Sequence, residues 1–203
     1  SLCSPGTFTA TRNQPTCESC TAGHFQDASG STACKYCGEG SFCPQGASAQ
    51  LPGAAGTSPN SVGLGSASQC TDCPKGSSCT TGSTAPALCA PGTFTAVARQ
   101  AGCAQCVAGS FQDASGSIAC KTCGRGSFCP LGASAQLPCV AGTYSSTLGL
   151  AAASECTACP KGSSCATGST AHAPCAPGTI SPATGASTCT NCAGGKYQDA
   201  SGT

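Results

Sequence analysis

Large apolar side chains are sparse along this chain, and most of them recur at one offset from a glycine. The chain divides into modules starting at Cys3, Cys20, Cys37, Gly53 and Cys73, and the series begins again at Cys89. Glycine falls three places after every start: Gly6, Gly23, Gly40, Gly56, Gly76, Gly92, Gly109, Gly126, Gly142, Gly162, Gly178 and Gly195. Two places further, most modules carry a ring (Phe8, Phe25, Phe42, Phe94, Phe111, Phe128, Tyr144, Tyr197), and the rest carry Ile180 or a serine. Between these points Gly, Pro, Ser and Thr interrupt every alanine-rich stretch, which disfavours helix. The pattern predicts tight turns with glycine at positive φ, short two-stranded β-ribbons and almost no helix. A ring packed on a sulfur bridge would give each module a miniature core.

Cysteine follows the same lattice. Cys3, Cys17, Cys20, Cys34, Cys37, Cys43, Cys70, Cys73 and Cys79 reappear 86 residues on, as Cys89, Cys103, Cys106, Cys120, Cys123, Cys129, Cys156, Cys159 and Cys165, and a third copy opens with Cys175, Cys189 and Cys192. Three blocks follow: residues 1–88, 89–174, and 175–203 as the start of a third. The 22 cysteines of 203 residues lie at disulfide-scaffold density, while 4% aromatic residues and no Trp or Met leave little with which to build one large core. The first and last residues fall inside repeats, as they would in a segment of a longer polypeptide.

Two loop sizes alternate. The long loops run Cys3 to Cys17, Cys20 to Cys34, Cys89 to Cys103, Cys106 to Cys120, Cys139 to Cys156 and Cys175 to Cys189. The short ones run Cys37 to Cys43, Cys73 to Cys79, Cys123 to Cys129 and Cys159 to Cys165. Pairing of sequence neighbours is the preferred connectivity, because each loop then closes within its own module; spacing alone leaves other pairings open. Bridges of this kind, worth about 3 kcal/mol for a loop of about 15 residues, would let stability accumulate module by module. Gly53 stands where Cys139 stands in the second block, so Cys70 is left unpaired or available to another chain. The partner of Cys192 is expected just past Thr203.

A formal net charge of +1 with 7% charged residues gives neither the basic field of a nucleic-acid binder nor a polybasic membrane patch. No apolar run is long enough to span a bilayer. A reducing cytosol would hold these thiols apart and leave a polar chain with too little apolar surface to fold, so an extracellular location is expected, whether secreted or on a cell or flagellar surface.

The pattern CxPGTF…CxxCxAGxFQDASGSxxCxxCGxGSFCPxGAS…CxAGTYSS…CxxCPKGSSC resembles the ephrin-receptor-like cysteine-rich repeats of the growth-factor-receptor and tumour-necrosis-factor-receptor group. The resemblance covers the whole chain. It implies an elongated, disulfide-laddered rod of tandem modules, used as a spacer or a protein-binding surface rather than as an enzyme. Long Ala/Gly/Ser-rich arrays of such modules are also similar to surface and flagellar-hair (mastigoneme) proteins of algae and other protists.

Seven CxxC pairs, from Cys17/Cys20 to Cys189/Cys192, invite a zinc reading, but the extra short loops fit no tetrahedral set and no histidine recurs with them. No metal or other cofactor is therefore expected. His24 and His172 align with Ser110 and Pro86, so neither belongs to the repeat. Asp27, Asp113 and Asp199 recur in a QDASG turn, where Asp is expected to bond backbone amides; one carboxylate per turn is too few for calcium. Lys75 and Lys161 are expected at the solvated surface. No nucleophile, base and orienting acid recur together, so no catalytic site is expected. No N-linked acceptor pattern occurs, whereas abundant Ser, Thr and Pro make O-linked glycans a reasonable partner chemistry. Together these readings favour a structural protein that associates with copies of itself or with other filament and surface proteins. The alternative is a receptor or adhesion ectodomain, for which Arg12-Asn13-Gln14, Arg99-Gln100 and Tyr36 would supply the anchors.

Overall fold

The computed structural model describes residues 2–11 and 16–202, so Arg12-Asn13-Gln14 lies outside the described residues. Two compact units make up the chain: Ser1–Cys89 with Thr95–Cys103 and Gly116–Ile118, and Ala90–Phe94 with Ala104–Ser115 and Ala119–Thr203. Both are built from the same element. Among the described residues there are eleven separate two-stranded antiparallel ribbons, each strand only two residues long, and the only helix is two short 3₁₀ turns at Ala67–Gln69 and Ala153–Glu155.

Each ribbon grows from the turn that the sequence pattern places. Ser4, Pro5, Gly6 and Thr7 close a turn in which the Thr7 N–H donates to the Ser4 carbonyl (3.1 Å), with Gly6 at φ 85°. Positive φ at the third residue is the type II requirement, and proline at the second suits it. The strand Thr7–Phe8 then pairs with Glu18–Ser19 in the register Thr7↔Ser19 and Phe8↔Glu18. In the second compact unit, Ser110–Phe111 pairs with Lys121–Thr122 in the same way.

Ten disulfides lie along the described residues, each closing within one module. The long loops are Cys3–Cys17, Cys20–Cys34, Cys89–Cys103, Cys106–Cys120, Cys139–Cys156 and Cys175–Cys189, and the short loops are Cys37–Cys43, Cys73–Cys79, Cys123–Cys129 and Cys159–Cys165. The first sulfur of every bridge is buried, whereas the second is buried only in the short loops. Cys70 and Cys192 are free and half-buried.

The miniature core differs from expectation in one respect: the ring packs on the bridge of the following module rather than its own. Phe25 clusters with Cys37 and Cys43, and Phe111 with Cys123, Cys129 and Ala133. Short parallel bridges, Phe25↔Ala47 and Phe111↔Ala133, hold each ring residue there. A module therefore completes its core only when its successor is in place.

Candidate functional site

The recurrent site of this chain is the junction between consecutive modules, and three backbone bonds define it. First, the turn glycine N–H donates to the carbonyl six places into the next module: Gly6 to Gln26 (2.7 Å), Gly23 to Cys43 (2.8 Å), Gly109 to Cys129 (2.8 Å). Second, the same glycine's carbonyl accepts from the first N–H of that next module, as in Cys20 to Gly6 and Cys123 to Gly109, both 2.9 Å. Third, a positive-φ residue late in the next module donates back to the first carbonyl of the preceding one: Gly30 to Cys3, Gly46 to Cys20, Gly149 to Cys123, each 2.8 Å. Six polar backbone groups are thus satisfied at each junction, and this is what lets a chain with so little apolar surface bury its backbone.

Contact also extends one module further. A Cβ placed on Gly6, Gly23, Gly109 or Gly142 would run into the carbonyl oxygen of Gly46, Gly63, Gly149 or Gly185, two modules on. The turn glycines are therefore required both for their φ and for the close approach of another backbone. Stability does not simply accumulate module by module, because each module touches its second neighbour as well as its first.

The late positive-φ residue is glycine everywhere except at Arg99 (φ 63°), among the described residues the only non-glycine with positive φ. In several other junctions this glycine sits over the side chain just before a module start: Gly63 over Tyr36, Gly82 over Pro52, Gly116 over Leu88, Gly168 over Pro138. At Arg99 that preceding residue is Asp72, and the Arg99 Nε lies 3.5 Å from its Oδ1. Eighty-six residues on, these two places hold Ala158 and Gly185.

The QDASG turn is held by more than its aspartate. Gln26 bonds it twice: its Oε1 accepts from the Ala28 N–H (3.0 Å) and its Nε2 donates to the Ala33 carbonyl (2.6 Å). Gln112 repeats both bonds with Ala114 and Ala119. Recurrence of glutamine at 26, 112 and 198 was the signal available in the sequence. Asp27 and Asp113 each accept from their own backbone and also pair across their ribbons with Lys35 (2.7 Å) and Lys121 (2.6 Å). The hydrogen bond from each lysine is the main cause that holds the carboxyl below its ordinary 3.8. Each ammonium also stands 5.8 Å from the centre of Phe25 or Phe111.

Both histidines have structural neighbours. His24 lies 4.4 Å from the Tyr36 ring, with Nδ1 3.2 Å from Thr21 Oγ1. His172 lies 5.6 Å from Tyr144, with Nδ1 3.2 Å from Ser163 Oγ. Among the described residues no group of three or more His, Cys, Asp and Glu is placed to hold a metal ion, and no helix is long and apolar enough to cross a membrane. Several aliphatic and aromatic side chains stand more than half exposed, including Leu2, Tyr36, Leu88, Val107, Leu131 and Val140. No family model matches the chain, and neither does any curated protein.

Proposed function

We propose that this chain is a segment of an extracellular structural protein, in which tandem disulfide-closed modules form a stiff rod within a surface filament, stalk or mastigoneme-like assembly. The observation that carries this reading is the junction: one set of three backbone bonds, repeated from module to module. Such a repeat offers mechanical continuity and presents near-identical surfaces at a fixed interval, so one weak lateral contact is multiplied along the array. Exposed aliphatic side chains on a weakly charged surface suit lateral packing against copies of the same chain or other surface proteins. Formed disulfides suit an oxidising compartment outside the cell. Exposed Ser and Thr would carry O-linked glycans.

A ligand-binding ectodomain would need a module whose anchors are free for a partner. Within the described residues Tyr36 lies beside the His24 ring and Arg99 pairs with Asp72, and both side chains remain largely exposed. Averaged images of assembled filaments should show a longitudinal spacing set by the 86-residue repeat. Its absence would reduce the array to a spacer. An intact mass exceeding that of the bare chain by whole sugar residues would establish the glycans, and a mass equal to it would remove them.

A further inference from the structure

The module from Gly53 to Asp72 and its counterpart from Cys139 to Ala158 share one fold and differ in what closes them. Both ribbons keep the same register, Thr57↔Asp72 with Ser58↔Thr71 and Thr143↔Ala158 with Tyr144↔Thr157. Only the second has a bridge, Cys139–Cys156; in the first, Cys70 is free. Where the bridge would begin, Pro59 fills the volume. Its side chain is fully buried, and a Cβ on Gly53 would lie 2.6 Å from the Pro59 Cδ and closer still to Cγ. The counterpart of Pro59 is the smaller Ser145, so Gly53 and Pro59 form one coupled replacement for a half-cystine and a serine.

Two further features weaken the same module. The ring position holds Ser58, which is buried with no hydrogen-bond partner for its Oγ. The slot beside Gly56 is occupied by the carbonyl of Arg99, the residue held in the left-handed region.

We propose that the module 53–72 is a yielding joint in the array, opening before its bridged counterpart under heat, denaturant or load. The repeat supplies its own control, because the amides to be compared make the same hydrogen bonds. Thr57, Gly63, Cys70 and Cys73 donate to Ala54, Cys37, Ala67 and Gly56, and Thr143, Gly149, Cys156 and Cys159 donate to Val140, Cys123, Ala153 and Gly142. Hydrogen exchange of the whole unreduced chain should be faster at the first four than at the second four. The ratio should lie between about threefold and about a hundredfold, the upper bound being the loop-closure contribution of a bridge of this span. A ratio below threefold, or the reverse order, would overturn the proposal.

A restoring variant tests the cause. In Gly53→Cys/Pro59→Ser, oxidised glutathione should accept the two electrons and two protons of the thiols at positions 53 and 70, giving a bridge and two reduced glutathiones. The chain would then lose two hydrogens in mass, Cys70 would no longer react with a thiol-alkylating reagent, and exchange across 57–73 should slow to that of the counterpart. A formed bridge without slower exchange would overturn the proposal. Gly53→Cys alone should not bridge, because Pro59 occupies the space; if it bridged as readily as the double variant, the coupled replacement would be wrong.

Discussion

Gly109→Ala and Gly178→Ala form a matched pair that separates the two demands on a turn glycine. Their φ values are nearly equal, 85° and 84°. A Cβ on Gly178 meets nothing within 4 Å, whereas one on Gly109 would overlap the Gly149 carbonyl oxygen and lie 3.1 Å from its carbon. Both substitutions carry the left-handed penalty of an L-residue, roughly 1–2 kcal/mol, offset in part by the stiffer unfolded chain, roughly 0.4–1 kcal/mol. Gly178→Ala should therefore cost about 1 kcal/mol. At Gly109 the Gly149 peptide must also move, which stretches the 2.8 Å bond from the Gly149 N–H to the Cys123 carbonyl. Losing a backbone bond at such a site adds roughly 1–3 kcal/mol. The total for Gly109→Ala should be about 3 kcal/mol, read from urea titration of the oxidised chain and from exchange of the Gly149, Cys123 and Gly109 amides. Equal destabilisation by the two variants, within about 0.5 kcal/mol, would refute the close approach between second-neighbour modules.

Other consequences are open to direct measurement. In an Asp72→Ala background, which removes the ion pair, Arg99→Gly should stabilise by about 1 kcal/mol because the left-handed backbone is relieved, and a loss of stability would contradict the strain assigned to Arg99. Gln112→Ala should cost about 2 kcal/mol by leaving the Ala119 carbonyl and Ala114 N–H without their side-chain partner, while Asp113→Ala should change thermal stability little; the reverse ranking would return the turn to the aspartate. Asp27 and Asp113 should titrate below 3.8 by NMR and shift upward in Lys35→Ala and Lys121→Ala. Because folding lowers these carboxyl values, their contribution is present above the ordinary value and is lost as the pH falls through the lowered one. Wild-type midpoints at or above 3.8 would contradict the lysine bonds.

Much of the local architecture was legible because it depends on residues close in sequence. The offset glycines marked turns with positive φ, and Gly, Pro, Ser and Thr excluded long helices, so ribbons and turns followed without reference to distant contacts. The Gln26 and Gln112 bonds are legible in principle, since the glutamine recurs with the aspartate, but nothing local says which atoms of the turn its amide reaches. In the sequence Arg99 offers no more than an exposed anchor. Its backbone role depends on Asp72 and on Gly56, residues 27 and 43 places away, and no local pattern reports such a contact.

By itself, the sequence determined the module, its period and the chemistry that closes it, because turn conformation and loop closure are short-range properties of glycine, proline and paired cysteines. Tertiary structure decided what each module does for its neighbours. It placed the rings of Phe25 and Phe111 on the following bridge, set the Gly149 carbonyl against Gly109, and filled the place of a missing sulfur with Pro59. These outcomes depend on which surfaces meet when ribbons stack, and stacking is fixed by backbone hydrogen bonds and excluded volume between residues far apart in the chain.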